Sequence, residues 1–393
     1  MTDNKRKVMQ QTGEVPAVSS AFKELESHYS TPFFWGAPRG DALMALLRHM
    51  YTDEQAELIR HLKPWIPRRA GWLAKKSGMP IESVNAILKE LAHEKYLIAS
   101  YGEGDKEWFA IMPIVPGTFE SVLIRKSADS VTPWHKRFAE LYEDLVDSGY
   151  VAEYTKRPID AVRYLPVGEV IQNEPSAWPS DRLESILERY KDFAIGVCQC
   201  RLSKQLTGEG CGRMLETCTV MGSVAPMLVE QGRLKQASMK DVLDMKAAAE
   251  KEGLATWMIN EESGKFATAS CSCCGCCCGA LSTVTKFNSP GFISKPHFMP
   301  QNDKATCTAC GKCEAACPMK AFVVLGEGKQ RSVLHKPERC IGCGLCAVAC
   351  PKKSLVMKPV PDYRKPPAGW STYLLRYSPN YFRNVLRIKA SRR

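Results

Sequence analysis

The chain has 393 residues, 45% of them hydrophobic, with 18 cysteines and a formal net charge of +12. That length exceeds one ordinary core and predicts about two to four domains. No apolar run approaches the roughly 18 residues that cross a bilayer, and the opening MTDNKRKVMQQTGEVPAVSS lacks the apolar stretch of an export signal, so a cytoplasmic setting is expected.

Thiols in such a reducing compartment stay free, which argues against a disulfide scaffold and points the cysteines to metal or redox chemistry. The positive charge is a local property. Residues 351–393 hold eleven Lys and Arg against the single acid Asp362, a net of +10, and the preceding 350 residues share +2. Nucleic-acid binding by the body of the chain gains no support from charge.

In chain order, residues 1–31 are polar and mixed, and read as a flexible arm with order expected from about Pro32. Apolar residues Leu43, Leu46, Leu47, Met50, Leu58 and Ile59 have helical spacing between Asp41 and Arg60, with Asp41 and Thr52 placed as caps. A short helix through Leu73, a turn at Gly78 to Pro80, a longer helix carrying Val84, Ile87, Leu88 and Leu91, and two strands across Gly102 to Asp105 follow. Residues 32–126 thus resemble a winged helix-turn-helix. Its second helix exposes Glu82, Asn85, Lys89, Glu90 and Glu94, and its wing carries Glu103, Asp105 and Glu107. Acids at groove-facing positions oppose phosphate contacts, so protein docking is expected there despite Arg68, Arg69, Lys75 and Lys76.

Residues 127–195 read as a helical spacer, with amphipathic segments at Trp134 to Val146 and Ser180 to Phe193, a Pro-rich linker between them, and a strand candidate at Tyr164 to Gly168. Residues 196–286 are cysteine-rich. They hold Cys198, Cys200, Cys211 and Cys218, then a helical stretch from Met239 to Glu252, then the knot of Cys271, Cys273, Cys274, Cys276, Cys277 and Cys278. Ten thiols in 81 residues exceed what core packing uses, and point to at least one cluster. The first four are the preferred ligand set, with Cys198 and Cys200 taken to share one strand face and Arg201 and Arg213 available to offset a negative cluster. Consecutive Cys276, Cys277 and Cys278 diverge and cannot all serve one metal. Zinc is the rival occupant, because it accepts the same four-thiolate cage.

The strongest signal lies at 300–358. Cys307, Cys310, Cys313 and Cys317 precede Pro318, and Cys340, Cys343, Cys346 and Cys350 precede Pro351. Each half is a C-x2-C-x2-C-x3-C-P run, in which three thiolates hold one 4Fe-4S cube and the fourth reaches a second. The expected sets are therefore Cys307, Cys310, Cys313 and Cys350 for one cube, and Cys340, Cys343, Cys346 and Cys317 for the other. This stretch resembles the bacterial two-cluster ferredoxins, which implies one-electron transfer through two 4Fe-4S clusters. The end of the chain, 359–393, is a Pro-rich exit and a basic amphipathic helix between Pro379 and Ala390, suited to an acidic partner, to anionic lipid, or to folding back on the body.

The expected fold class is α+β and multidomain: a winged helix-turn-helix, a helical and Cys-rich middle, and a ferredoxin-like two-cluster domain. The expected function is electron transfer between a donor and a redox-enzyme partner, as a carrier subunit or adaptor. No nucleotide fingerprint or nucleophile with its base is present. The alternatives are a redox-responsive transcription regulator and a reductase or activator acting at the middle cysteines.

Overall fold

The computed structural model describes residues 19–262 and 269–392. The first 18 residues of the expected arm lie outside the described residues, but its remainder differs from expectation. Ser20–Tyr29 forms helix α1, because Ala21, Phe22, Leu25 and Tyr29 share one face and are buried against α2 (Asp41–Met50) and α3 (Asp53–Ile59). Thr52 caps α3 in a reciprocal box with Gln55, whereas Asp41 is the first helical residue of α2 and Gly40 takes the cap position.

Helices α4 (Ala70–Ser77) and α5 (Ile81–Lys89) are followed by the antiparallel hairpin of β1 (Ile98–Tyr101) and β2 (Trp108–Ile111). Helices α6 (Phe119–Leu123), α7 (Pro133–Asp147) and α8 (Tyr150–Glu153) complete this layer. The stretch expected as a spacer is part of the core: Phe138, Leu141, Tyr142 and Leu145 of α7 pack in the same cluster as Leu43, Leu46 and Leu47. A stripe that wide needs a partner, and α2 supplies it.

The middle of the molecule is a six-stranded antiparallel sheet. In chain order its elements are β3 (Val162–Tyr164), α9 (Leu183–Leu187), β4 (Phe193–Val197), α10 (Gln199–Leu206), β5 (Glu216–Met221), α11 (Val224–Glu230), β6 (Lys235–Ala237), α12 (Met239–Lys251), β7 (Ala255–Ile259), β8 (Ala269–Cys273) and α13 (Gly279–Thr285). The strand order is β3-β7-β8-β5-β4-β6. Two strands thus start before residue 196: β3, just N-terminal to the candidate at Tyr164 to Gly168, and β4, which takes Phe193 from the expected helical segment. That segment keeps only the short α9. Both strands are nearly all buried, β4 between β5 and β6 and β3 at the edge of the sheet with its Arg163 buried as well.

The third unit consists of β9 (Phe298–Asn302), α14 (Lys312–Ala316), β10 (Phe322–Leu325), β11 (Ser332–His335), α15 (Leu345–Val348) and β12 (Leu355–Pro359), with β9 pairing β12 and β10 pairing β11. Finally α16 (Trp370–Ser391) starts before the expected helix and runs through Pro379, which leaves the exposed Leu375 carbonyl without its helical donor. The helix lies back on the N-terminal layer. Asn384 Nδ2 donates to Tyr154 O at 2.8 Å, Tyr381 Oη to Phe33 O at 2.6 Å, and Arg392 pairs with Glu153 at 3.1 Å. The tail thus makes one of the contacts expected for it, folding back on the body, and leaves Leu375 and Leu386 exposed. No helix among the described residues is long and apolar enough to cross a membrane.

Candidate metal centres

The two cysteine runs fold as two short loops, each closing on a one-turn helix, α14 or α15. Gly311 and Gly344 cap these helices at φ 83° and 76°. At Gly342, φ is 69° and a Cβ would lie 2.4 Å from Pro296 and 2.5 Å from Phe298 O, so only glycine lets this loop lie on β9. Cys307, Cys310, Cys313 and Cys350 line one cavity. Cys317 is not among those lining residues and packs instead with Cys340 and Cys343 in one apolar cluster and beside Cys313 and Cys346 in another. Burial pushes Cys340 up to about 11, and pushes Cys343 and Cys346 higher. Such thiols give up their protons when a metal ion supplies the compensating charge. Backbone amides also reach the sulfurs, with Ala321 N donating to Cys317 Sγ at 3.3 Å.

In the middle region the cysteines divide differently from their order in sequence. Cys211, Cys274, Cys276 and Cys277 place four Sγ atoms within 4.8 Å of one another. Four thiolates this close have the spacing of a single tetrahedral zinc ion, whose sulfurs lie about 3.8 Å apart, and the same four hold a cube once they spread to its wider corners. Arg213 Nη1 donates to Cys276 Sγ at 3.6 Å, and Cys276 is the exposed member. Hydrogen bonds from Cys277 and Cys276, with Arg201 nearby, bring Cys274 down to about 4.

The other six form a second group. Cys198 contacts Cys200, Cys218 contacts Cys271, and Cys273 contacts Cys278, while Cys198 acts electrostatically on Cys218, Cys271, Cys273 and Cys278. The sheet explains part of this. Thr219 pairs with Ser270, so the antiparallel register puts Cys218 opposite Cys271, and alternation returns Cys273 to the face of Cys271. Cys198 and Cys200 do not share a strand face: β4 ends at Val197, Cys198 caps α10, and Cys200 lies in its first turn. The preferred quartet is accordingly not brought together as four, since Cys211 has joined the knot.

The two regions touch. At Gly275, between Cys274 and Cys276, a Cβ would lie 1.8 Å from Pro318 O, the residue after Cys317. Cys273 and Cys278 share an apolar cluster with Met319, Ala321, Ile341 and Cys343.

The sequence reading passed over one residue here, Lys246. On α12 it occupies the inner stripe between Val242 and Ala249, where helical spacing calls for an apolar side chain, and that misfit was the available signal.

Geometry and spacing together define an iron–sulfur protein. Residues 306–354 match the family described as the 4Fe-4S dicluster domain. No curated protein and no solved structure matches the chain significantly.

Proposed function

We propose that the chain is an electron carrier in which two cubes in the dicluster domain are joined by a third, held by Cys211, Cys274, Cys276 and Cys277. The observation that carries this reading is the backbone contact between Gly275 and Pro318, which brings the loop of the middle quartet against the ligand loop of the second cysteine run. The bound clusters supply one-electron redox chemistry at iron. The residues hold and insulate them. Cys307, Cys310, Cys313 and Cys350 take one dicluster cube, and Cys340, Cys343, Cys346 and Cys317 the other. The buried Cys313, Cys343 and Cys346 keep water from the interior of the path, while the exposed Cys310 and Cys276 give it two ends that partner proteins can reach. Anaerobic iron and sulfide counting beside EPR should give about 12 irons from these three cubes, with Cys276→Ser removing about four. About eight irons, with zinc or nothing at the quartet, would overturn it.

A docking role for the N-terminal layer fits its surface. Arg68 lies over Trp72 at 5.1 Å and Arg69 over Trp108 at 4.7 Å, a basic and aromatic face suited to an acidic redox partner. One observation favours a second reading, a reductase: a cavity between α7 and α10 is lined by Tyr142, Glu143, Cys200, Lys204, Cys276 and Cys277. Small-molecule oxidants that reoxidise the reduced protein, and lose that ability with Lys204→Met, would establish it.

A further inference from the structure

Once the quartet is set apart, six thiols and one unusual lysine remain. Lys246 is 1% exposed, and its Nζ has no hydrogen-bond partner among the described residues. Its surroundings are Cys271, Cys273 and Cys218, followed by Glu250, which forms no ion pair with it and accepts from Thr256 Oγ1 at 3.2 Å. We infer that the buried thiols hold a fourth 4Fe-4S cube, ligated by Cys198, Cys218, Cys271 and Cys273, with Lys246 and Arg201 as its counter-cations. The inference rests on the reading of the middle region as iron–sulfur binding.

An ammonium without an anion is among the most costly groups to bury, and a leucine or methionine would fill the same stripe of α12 without that cost. A cube with four thiolates carries about two negative charges, and its sulfurs accept hydrogen bonds. Arg201 supplies the second positive charge. It is 2% exposed and lies between the two middle sites, acting on Cys198, on Cys274 of the quartet and on Cys273, and its guanidinium is fixed by Met214 O at 3.0 Å, Ser272 O at 2.8 Å and the Thr217 hydroxyl. Lys246, with the share of Arg201 not taken by Cys274, offsets most of the two negative charges of the buried site.

The four ligands are the three thiols around Lys246 together with Cys198, the cap of α10, whose neighbour Gln199 donates through Nε2 to Cys218 Sγ at 3.5 Å. Cys200 and Cys278 stay as thiols, and Cys278 keeps its contact with Tyr164 Oη at 3.8 Å. The sheet register that aligns Cys218 with Cys271 sets two ligands before any metal arrives.

The test uses the full-length holoprotein. Iron and sulfide counting should give about 16 irons, four cubes in all. Cys271→Ser should remove about four, and Cys276→Ser a separate four. Lys246→Met should shift one EPR-monitored midpoint to more negative potential and leave the dicluster signals unmoved, because a lost cation disfavours the added electron. Lys246→Arg should restore the midpoint. About 12 irons with none lost in Cys271→Ser would overturn the inference, as would zinc in place of iron at these thiols. If Cys276→Ser is the variant that loses no iron, the quartet reading fails and this one stands. A wild-type count of about 16 requires both middle sites and needs no variant to fold.

Discussion

The dicluster domain and the middle region use the same donor, the cysteine thiolate, but organise it in opposite ways. In the dicluster domain each run brings three thiols to one short loop, and one apolar cluster beneath them consists of Cys313, Phe322, Cys346 and Leu355, so half of that cluster is cysteine. In the middle region the thiols come from a helix cap, two strands and a loop, and the sheet that presents them has apolar clusters of its own, such as Phe193, Met221, Val242 and Met258. One site is made by local spacing and needs its metal; the other is made by tertiary structure and offers thiols to a metal.

The largest effect expected from this contrast is the response to iron removal. Stripping the clusters should unfold residues 306–354, where metal binding is folding energy, and leave the six-stranded sheet intact. Hydrogen exchange on the apoprotein reads this directly: fast amides throughout β10 and β11, protected amides in β4, β5 and β7. Equal loss of protection in both regions would abolish the distinction.

The next effect concerns the crossing of ligands. Cys317→Ala should cost the cluster held by Cys340, Cys343 and Cys346, about four irons, and spare the one held by the rest of its own run. Loss of the cluster at Cys307, Cys310 and Cys313 instead would mean that each run serves itself.

The same contrast explains what could be read from the chain. The dicluster spacing is a property of consecutive residues, so the two proposed ligand sets can be written from the runs themselves. The partition of the middle cysteines depends on the pairing of Thr219 with Ser270 and on α10 beginning at Cys198, and neither is encoded in the spacing of cysteines. The expectation that Cys276, Cys277 and Cys278 diverge agrees with their division between two groups, because it rests on local geometry. The helices at 127–195 are legible as amphipathic segments, but their place in the core depends on α2 packing against α7, which no local pattern encodes. Lys246 was legible in principle as a charge in an apolar stripe, but such stripes tolerate lysine at their edges, and only the fold shows that this one points inward.

A smaller effect tests the seam between the regions. Gly275→Ala forces a methyl into Pro318 O, and overpacking of this kind costs about 2 kcal/mol. Denaturant melts of the holoprotein should report that loss, and magnetic coupling between the quartet cluster and its dicluster neighbour should weaken as the loops separate. An unchanged melt would show that the two loops move apart freely.

The smallest expected effect is at the exposed end of the quartet. Arg213 donates to Cys276 Sγ at 3.6 Å and also to Glu252 O at 3.1 Å, so it both neutralises the site and ties it to the end of α12. Removing the charge with Arg213→Gln should lower the midpoint of the quartet cluster, because the cation stabilises the more negative reduced state. The shift is limited by water. An exposed charge interaction is worth up to about 1 kcal/mol, which for one electron is about 40 mV, and added salt should shrink it further. Lys246→Met acts in a dry interior and should move its own cluster by more, with little dependence on salt. A salt-sensitive shift at Lys246 and a salt-insensitive one at Arg213 would reverse the assignment of which middle site is buried and which faces the partner.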